Sequence, residues 1–176
     1  MQILTSKQPT VLFVSLALIF ALSVTTSIAQ QKIKIAGKMT CAVTEQKMIN
    51  VGDTEGHTVS LTEYEGTNVS TGEHDFMDGA QVFNMAFNDL VKGNGTHQVY
   101  VKLAKKDDTV FARCEGRTIT AVSPEGTPIM TFEGTWSYIK GTGQFENIRG
   151  SGTYKGEFIS TTIWVDEWEG EYFIKK

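Results

Sequence analysis

Residues 134–158 read GTWSYIKGTGQFENIRGSGTYKGEF, and the fold follows from how this stretch alternates. Up to Lys140, Met130, Phe132, Trp136 and Tyr138 share one face of an extended chain, while Thr131, Glu133, Thr135 and Ser137 share the other, the pattern of a half-buried strand. After a turn at Gly141 and Gly143 the alternation resumes, with Tyr154 and Phe158 opposed to Thr153, Lys155 and Glu157. The two runs make a hairpin whose inner face is partly bare backbone, because Gly150, Gly152 and Gly156 share parity with Tyr154 and Phe158. Interior glycine weakens a strand unless the sheet bends sharply or another group approaches closely, as at the corners of a closed sheet.

The same period extends outward from this hairpin. Ile33, Ile35, Met39, Cys41 and Val43 oppose Lys32, Lys34, Lys38 and Thr40, and Val59 and Leu61 oppose Thr58, Ser60 and Thr62. Residues 66–78 are rich in glycine, serine and acids and read as a loop. Residues 76–91 carry two periods at once: Phe76, Ala80, Phe83, Phe87 and Leu90 fit a helical stripe, and Phe83, Met85 and Phe87 fit a strand. Val99, Val101 and Leu103 lead into the charged turn Lys105-Lys106-Asp107-Asp108, and an aromatic strand with Ile163, Trp164, Val165, Trp168, Tyr172 and Phe173 ends the chain. Seven or eight strands joined by polar turns, without a convincing long helix, match an antiparallel barrel or sandwich, and the inner-face glycines favour closure.

The 176 residues, 40% hydrophobic and 20% charged, suit one globular domain. The first segment stands apart: Lys7 precedes an apolar run from Val11 to Val24, followed by Ser27 and Ala29 with isoleucine between them. This is the layout of a secretory signal cut after Ala29, and the run falls short of the ~20 residues of a membrane-spanning helix. Residues 1–29 are therefore expected to be a signal peptide and 30–176 a single β-barrel domain, secreted or periplasmic, with no membrane insertion after cleavage. The formal net charge of −4, and the scatter of lysines and arginines, argue against nucleic acid or anionic lipid as partner. In an exported protein the two cysteines, Cys41 and Cys114, are expected to pair as a disulfide, or at least to share the interior face.

Residues 141–152, GTGQFENIRGSG, resemble the glycine-rich signature G-T-G-x-F-x-x-I/A-x-G-x-G of the allene oxide cyclase and dirigent-like barrels. The upstream segment VYVKLAKKDDTVFARCEG, residues 99–116, is similar to the strand, charged turn and strand of bacterial barrel-like members. The resemblance implies a closed eight-stranded antiparallel β-barrel with an apolar central cavity, a homo-oligomer that is trimeric in plant members, and a strand rather than a helix over residues 81–90. No position matches the catalytic pattern of either group.

His57, His74 and His97 form no local metal motif, no cofactor is indicated, and His57 and His74 read as surface residues. No G-x-S-x-G is present, and the glycines at 141–152 lack the Lys-Ser/Thr ending of a phosphate loop. Asn68-Val-Ser and Asn94-Gly-Thr match the glycosylation triplet. By parity Asp166 shares a face with Trp164 and Trp168, where desolvation would raise its pKa and suit it to acid or base chemistry. A bulge turning it outward is the alternative. Trp136, Tyr138, Tyr154, Trp164 and Trp168 are the candidate pocket lining, expected to border an opening at one aromatic end. An outer-membrane barrel is disfavoured, because Thr131, Glu133, Lys155 and Glu157 make the outer face polar. Three functions fit: an exported barrel binding a small apolar or amphipathic molecule, a cyclase or isomerase acting in the same cavity, and a non-catalytic structural or interaction protein with a filled core. Cavity volume separates the first two from the third, since ligand sites usually exceed ~300 Å³.

Overall fold

The computed structural model describes residues 31–176; the expected signal peptide lies outside them. Eight strands run in chain order, β1 Ile33–Asn50, β2 His57–Ser70, β3 Gln81–Val91, β4 Asn94–Lys105, β5 Asp108–Val122, β6 Pro128–Gly141, β7 Ile148–Phe158 and β8 Ile163–Ile174. Each pairs antiparallel with its sequence neighbours, and β1 closes the ring on β8 from Ile33↔Tyr172 to Ala42↔Ile163. The closed eight-stranded antiparallel barrel implied by the sequence is thus the observed architecture. Closure leaves no sheet edge along the paired segments. The two-period segment divides: residues 81–91 are strand β3, and Phe76 lies in the preceding turn.

Parity is kept in the hairpin that decided the fold. Trp136, Tyr138 and Tyr154 are buried and Thr131, Glu133, Thr153 and Lys155 are exposed. It is inverted in β2 and β3. There Ser60, Thr62, Tyr64, Val82, Asn84 and Ala86 face inward, whereas Leu61, Met85 and Phe87 are each at least half exposed. Volume explains the inversion. The facing strands β6–β8 fill the interior with three indoles and two phenols, so apart from Tyr64 the opposite wall presents small or medium side chains, and Leu61, Met85 and Phe87 go outside.

The inner glycines are where those rings lie. A Cβ on Gly37 would stand 2.4 Å from Cζ2 of Trp168, one on Gly156 2.4 Å from Cζ of Phe132, and one on Gly152 or Gly170 2.5 Å from Cζ2 of Trp136. The space left by missing side chains is taken by aromatic rings from neighbouring strands.

One end of the barrel is plugged. Phe76 enters it and meets Phe145, Tyr172, Tyr138 and Trp168 at ring-centroid distances of 5.1, 5.0, 5.8 and 6.1 Å. The plug is held by Asn68, fully buried at the end of β2. Its Nδ2 donates to the carbonyls of Met77 (2.9 Å) and Phe76 (3.3 Å), and its Oδ1 accepts from Trp168 Nε1 (3.0 Å). Asn68 is therefore a structural clamp, although it heads a glycosylation triplet.

The expected disulfide is absent. Cys41 and Cys114 are free, buried thiols. Both face the interior, but β1 and β5 are four strands apart in a ring of eight, on opposite walls of the barrel.

Candidate functional site

The barrel interior holds a partly open cavity of about 100 Å³. Every candidate aromatic lines it, Trp136 and Tyr138 from β6, Tyr154 from β7, Trp164 and Trp168 from β8. They do not gather at one end. Tyr138 and Trp168 belong to the plugged end with Phe76, while Trp164 stacks edge-on against Phe132 (5.6 Å) and Tyr64 (5.9 Å). The opening expected at a single aromatic end is therefore corrected. The cavity extends toward the end opposite the plug, where Asn88, Phe132 and Phe158 are half-buried.

Asp166 points into the lumen, as parity indicated. Its charge is felt by Cys41 on β1, Cys114 on β5 and Tyr154 on β7, which places the carboxyl among three walls. Burial raises its pKa to about 7, against a smaller opposing effect of the Met39 N–H, which donates to Oδ1 at 3.0 Å. A carboxyl with that pKa changes protonation near neutrality and so can give or take a proton.

Four further polar residues, Asn84, Asn88, His97 and Thr118, line the cavity and were not singled out as site residues from sequence. His97 is buried on β4, with Nε2 2.6 Å from Tyr154 Oη and Nδ1 3.0 Å from Thr118 Oγ1. Burial lowers the His97 pKa and raises that of Tyr154, so the pair is neutral. The signal was present, since His97 shares parity with Val99, Val101 and Leu103. Asn84, inward on β3, is 5% exposed, and its Oδ1 has no hydrogen-bond partner among the described residues.

Outside the lumen, His57 bridges two carboxylates, with Nδ1 2.5 Å from Asp53 Oδ1 and Nε2 2.8 Å from Asp89 Oδ1. His74 is exposed. Among the described residues no group of three or more His, Cys, Asp or Glu is disposed to hold a metal ion.

No family model matches the sequence, and no curated protein matches it. Among solved structures the chain is similar to the pterocarpan synthase dirigent protein PsPTS1, at 17% identity and a TM-score of 0.46 over 83% of this chain and 97% of that one. It is also similar to the pterocarpan synthase dirigent protein GePTS1, at 15% identity and a TM-score of 0.41 over 83% and 92%.

Proposed function

We propose that this protein is an exported barrel that binds a small apolar or amphipathic molecule in its lumen. The observation that carries this reading is the Asn84 amide oxygen, buried on the cavity wall without a partner. A buried acceptor left unmade costs ~1–3 kcal/mol, and a bound donor removes that cost. Around it the walls are apolar rings, which give a ligand contact area at little entropic cost.

The cavity of about 100 Å³ is well below the ~300 Å³ usual for ligand sites, which by volume alone favours a filled core; a guest that binds here is compact, or is the buried end of a longer molecule leaving past Phe132 and Phe158. A filled-core protein, the rival reading, leaves Asn84 unexplained. Native mass spectrometry of the purified protein and a fragment screen followed by indole fluorescence test the proposal. Bound small molecules, with affinity weakened in Trp164→Ala, are expected. A silent screen combined with a stability loss of several kcal/mol in that variant, as for a core indole, refutes binding.

A second reading, a cyclase or isomerase, is favoured by Asp166. A carboxyl that titrates near neutrality faces the same space as the His97–Tyr154 pair, and a dry cavity of fixed shape restricts the conformers of a reactive guest. Turnover of a bound ligand that Asp166→Asn lowers far more than it weakens binding selects this reading over simple binding.

A further inference from the structure

From the chemistry of the lumen we infer that its guest is a small organic cation, a compact primary amine whose ammonium group is held by the Asp166 carboxylate and the Asn84 amide oxygen. The inference rests on the lumen being a ligand site, and it adds the charge and class of the ligand.

Asp166 is the one charged side chain buried among the described residues; no lysine or arginine is buried with it. Among the described residues the salt bridges lie elsewhere: Lys32, Lys38, Lys92, Arg113 and Arg117 pair with outer carboxylates, and His57 with Asp53 and Asp89. Buried charges in folded proteins are ordinarily paired. The groups facing Asp166 supply no countercharge. Cys41 on β1, Cys114 on β5 and Tyr154 on β7 are neutral acids, the Met39 N–H is a single backbone donor, and His97 on β4 is held neutral by burial. When Asp166 is ionised, its countercharge has to come from the ligand.

The second unmet group has the same polarity. Asn84 Oδ1 is an acceptor, and it lines the same cavity as Asp166. An ammonium offers three donors and no acceptor, which is the chemistry that both groups call for, whereas a carboxylate or phosphate guest would meet repulsion from Asp166. The indoles fit this chemistry as well. Trp136 Nε1 donates to the Thr153 carbonyl (3.2 Å) and Trp168 Nε1 to Asn68 Oδ1 (3.0 Å), so these walls present π surface to the lumen rather than N–H donors. The faces of Trp and Tyr attract cations. A cavity of about 100 Å³ suits a head group of a few heavy atoms.

Calorimetric titration of the purified protein with butylamine and with butan-1-ol, equal in shape but differing in charge, tests this. At pH 8 the amine is expected to bind at least tenfold more tightly than the alcohol, and Asp166→Asn to remove most of that preference. With the Asp166 pKa at about 7, amine affinity is expected to fall about tenfold from pH 8 to pH 6 as the carboxyl takes up a proton. Equal or tighter binding of the alcohol to the wild type overturns the cation inference and leaves the lumen as a neutral-ligand site. No binding of either also overturns it, and a parallel screen of neutral aromatics that stays silent removes the ligand-site reading itself. The wild-type comparison of the two ligands decides the question even where Asp166→Asn folds poorly.

Discussion

The ring of Trp136 lies across the inner surface of Gly152, so that a Cβ placed there would stand 2.5 Å from Cζ2 and 1.9 Å from the Glu169 carbonyl oxygen. Gly152 pairs with Gly170 on β8, and together they form the floor on which the indole rests. Neither contact can be relieved by a flexible side chain, because one partner is backbone and the other a packed ring. Gly152→Ala is therefore expected to destabilise the barrel by ~1–3 kcal/mol or more, in the range of overpacked cores. The neighbouring Thr153→Ala, on the exposed face, is expected to stay within about 0.5 kcal/mol of the wild type. Urea unfolding of both variants checks this; equal midpoints would mean that the ring does not rest on Gly152.

Asp166 gives a pH-dependent prediction. A carboxyl whose folded pKa lies at about 7 keeps its proton in the barrel while the unfolded chain has already released it, so it lowers stability progressively as pH rises from about 4 to about 7. Above pH 7 the cost is full and constant. Asp166→Asn, which keeps an acceptor for the Met39 N–H, is expected to stabilise the protein by about 4 kcal/mol at pH 8 and hardly at all at pH 4. Denaturant midpoints at the two pH values measure the difference, and a variant that is less stable at pH 8 contradicts it.

The titration midpoints of His57 and His97 are expected to shift in opposite directions. His57 is held charged by its bonds to Asp89 and Asp53, so its pKa lies above the ordinary 6.5; its contribution to stability is complete below that pH and lost as pH rises through the folded pKa. His97 is kept neutral by burial, its pKa lies below 6.5, and it costs stability as pH falls through 6.5. Ring NMR signals followed from pH 4 to pH 9 give both midpoints. Replacing Asp53 and Asp89 together by Asn is expected to return His57 towards its ordinary value; two unshifted midpoints in the wild type would show that neither environment forms.

Cys41 and Cys114 are buried thiols whose pKa values burial pushes up, that of Cys114 to about 12. Thiolate is the reactive form, so both are expected to resist thiol reagents in the native state and to react together on unfolding. Reductant is expected to leave the thermal midpoint unchanged. A midpoint lowered by several degrees in reductant would reveal a bridge that the barrel geometry does not provide.

The inner-face glycines and the family resemblance pointed to a closed sheet and to a strand over residues 81–90, while alternation of residues by itself determined the other strands, the hairpin around Gly141 and Gly143 and the inward direction of Trp136, Tyr138, Tyr154, Trp164, Asp166 and Trp168. These are local consequences of a period of two, and they hold wherever one face of a strand carries the bulky residues. The tertiary structure alone decided which face of β2 and β3 turns inward, because parity says which residues share a face and not which face is covered. There the shared interior volume, already filled by three indoles, overrode hydrophobicity and left Leu61, Met85 and Phe87 outside. It also decided what meets across the lumen: Cys41 and Cys114 share an interior but stand on opposite walls, and His97 finds Tyr154 from 57 residues away. Such meetings depend on strand order and on the closing of β1 against β8, which no single stretch of sequence encodes.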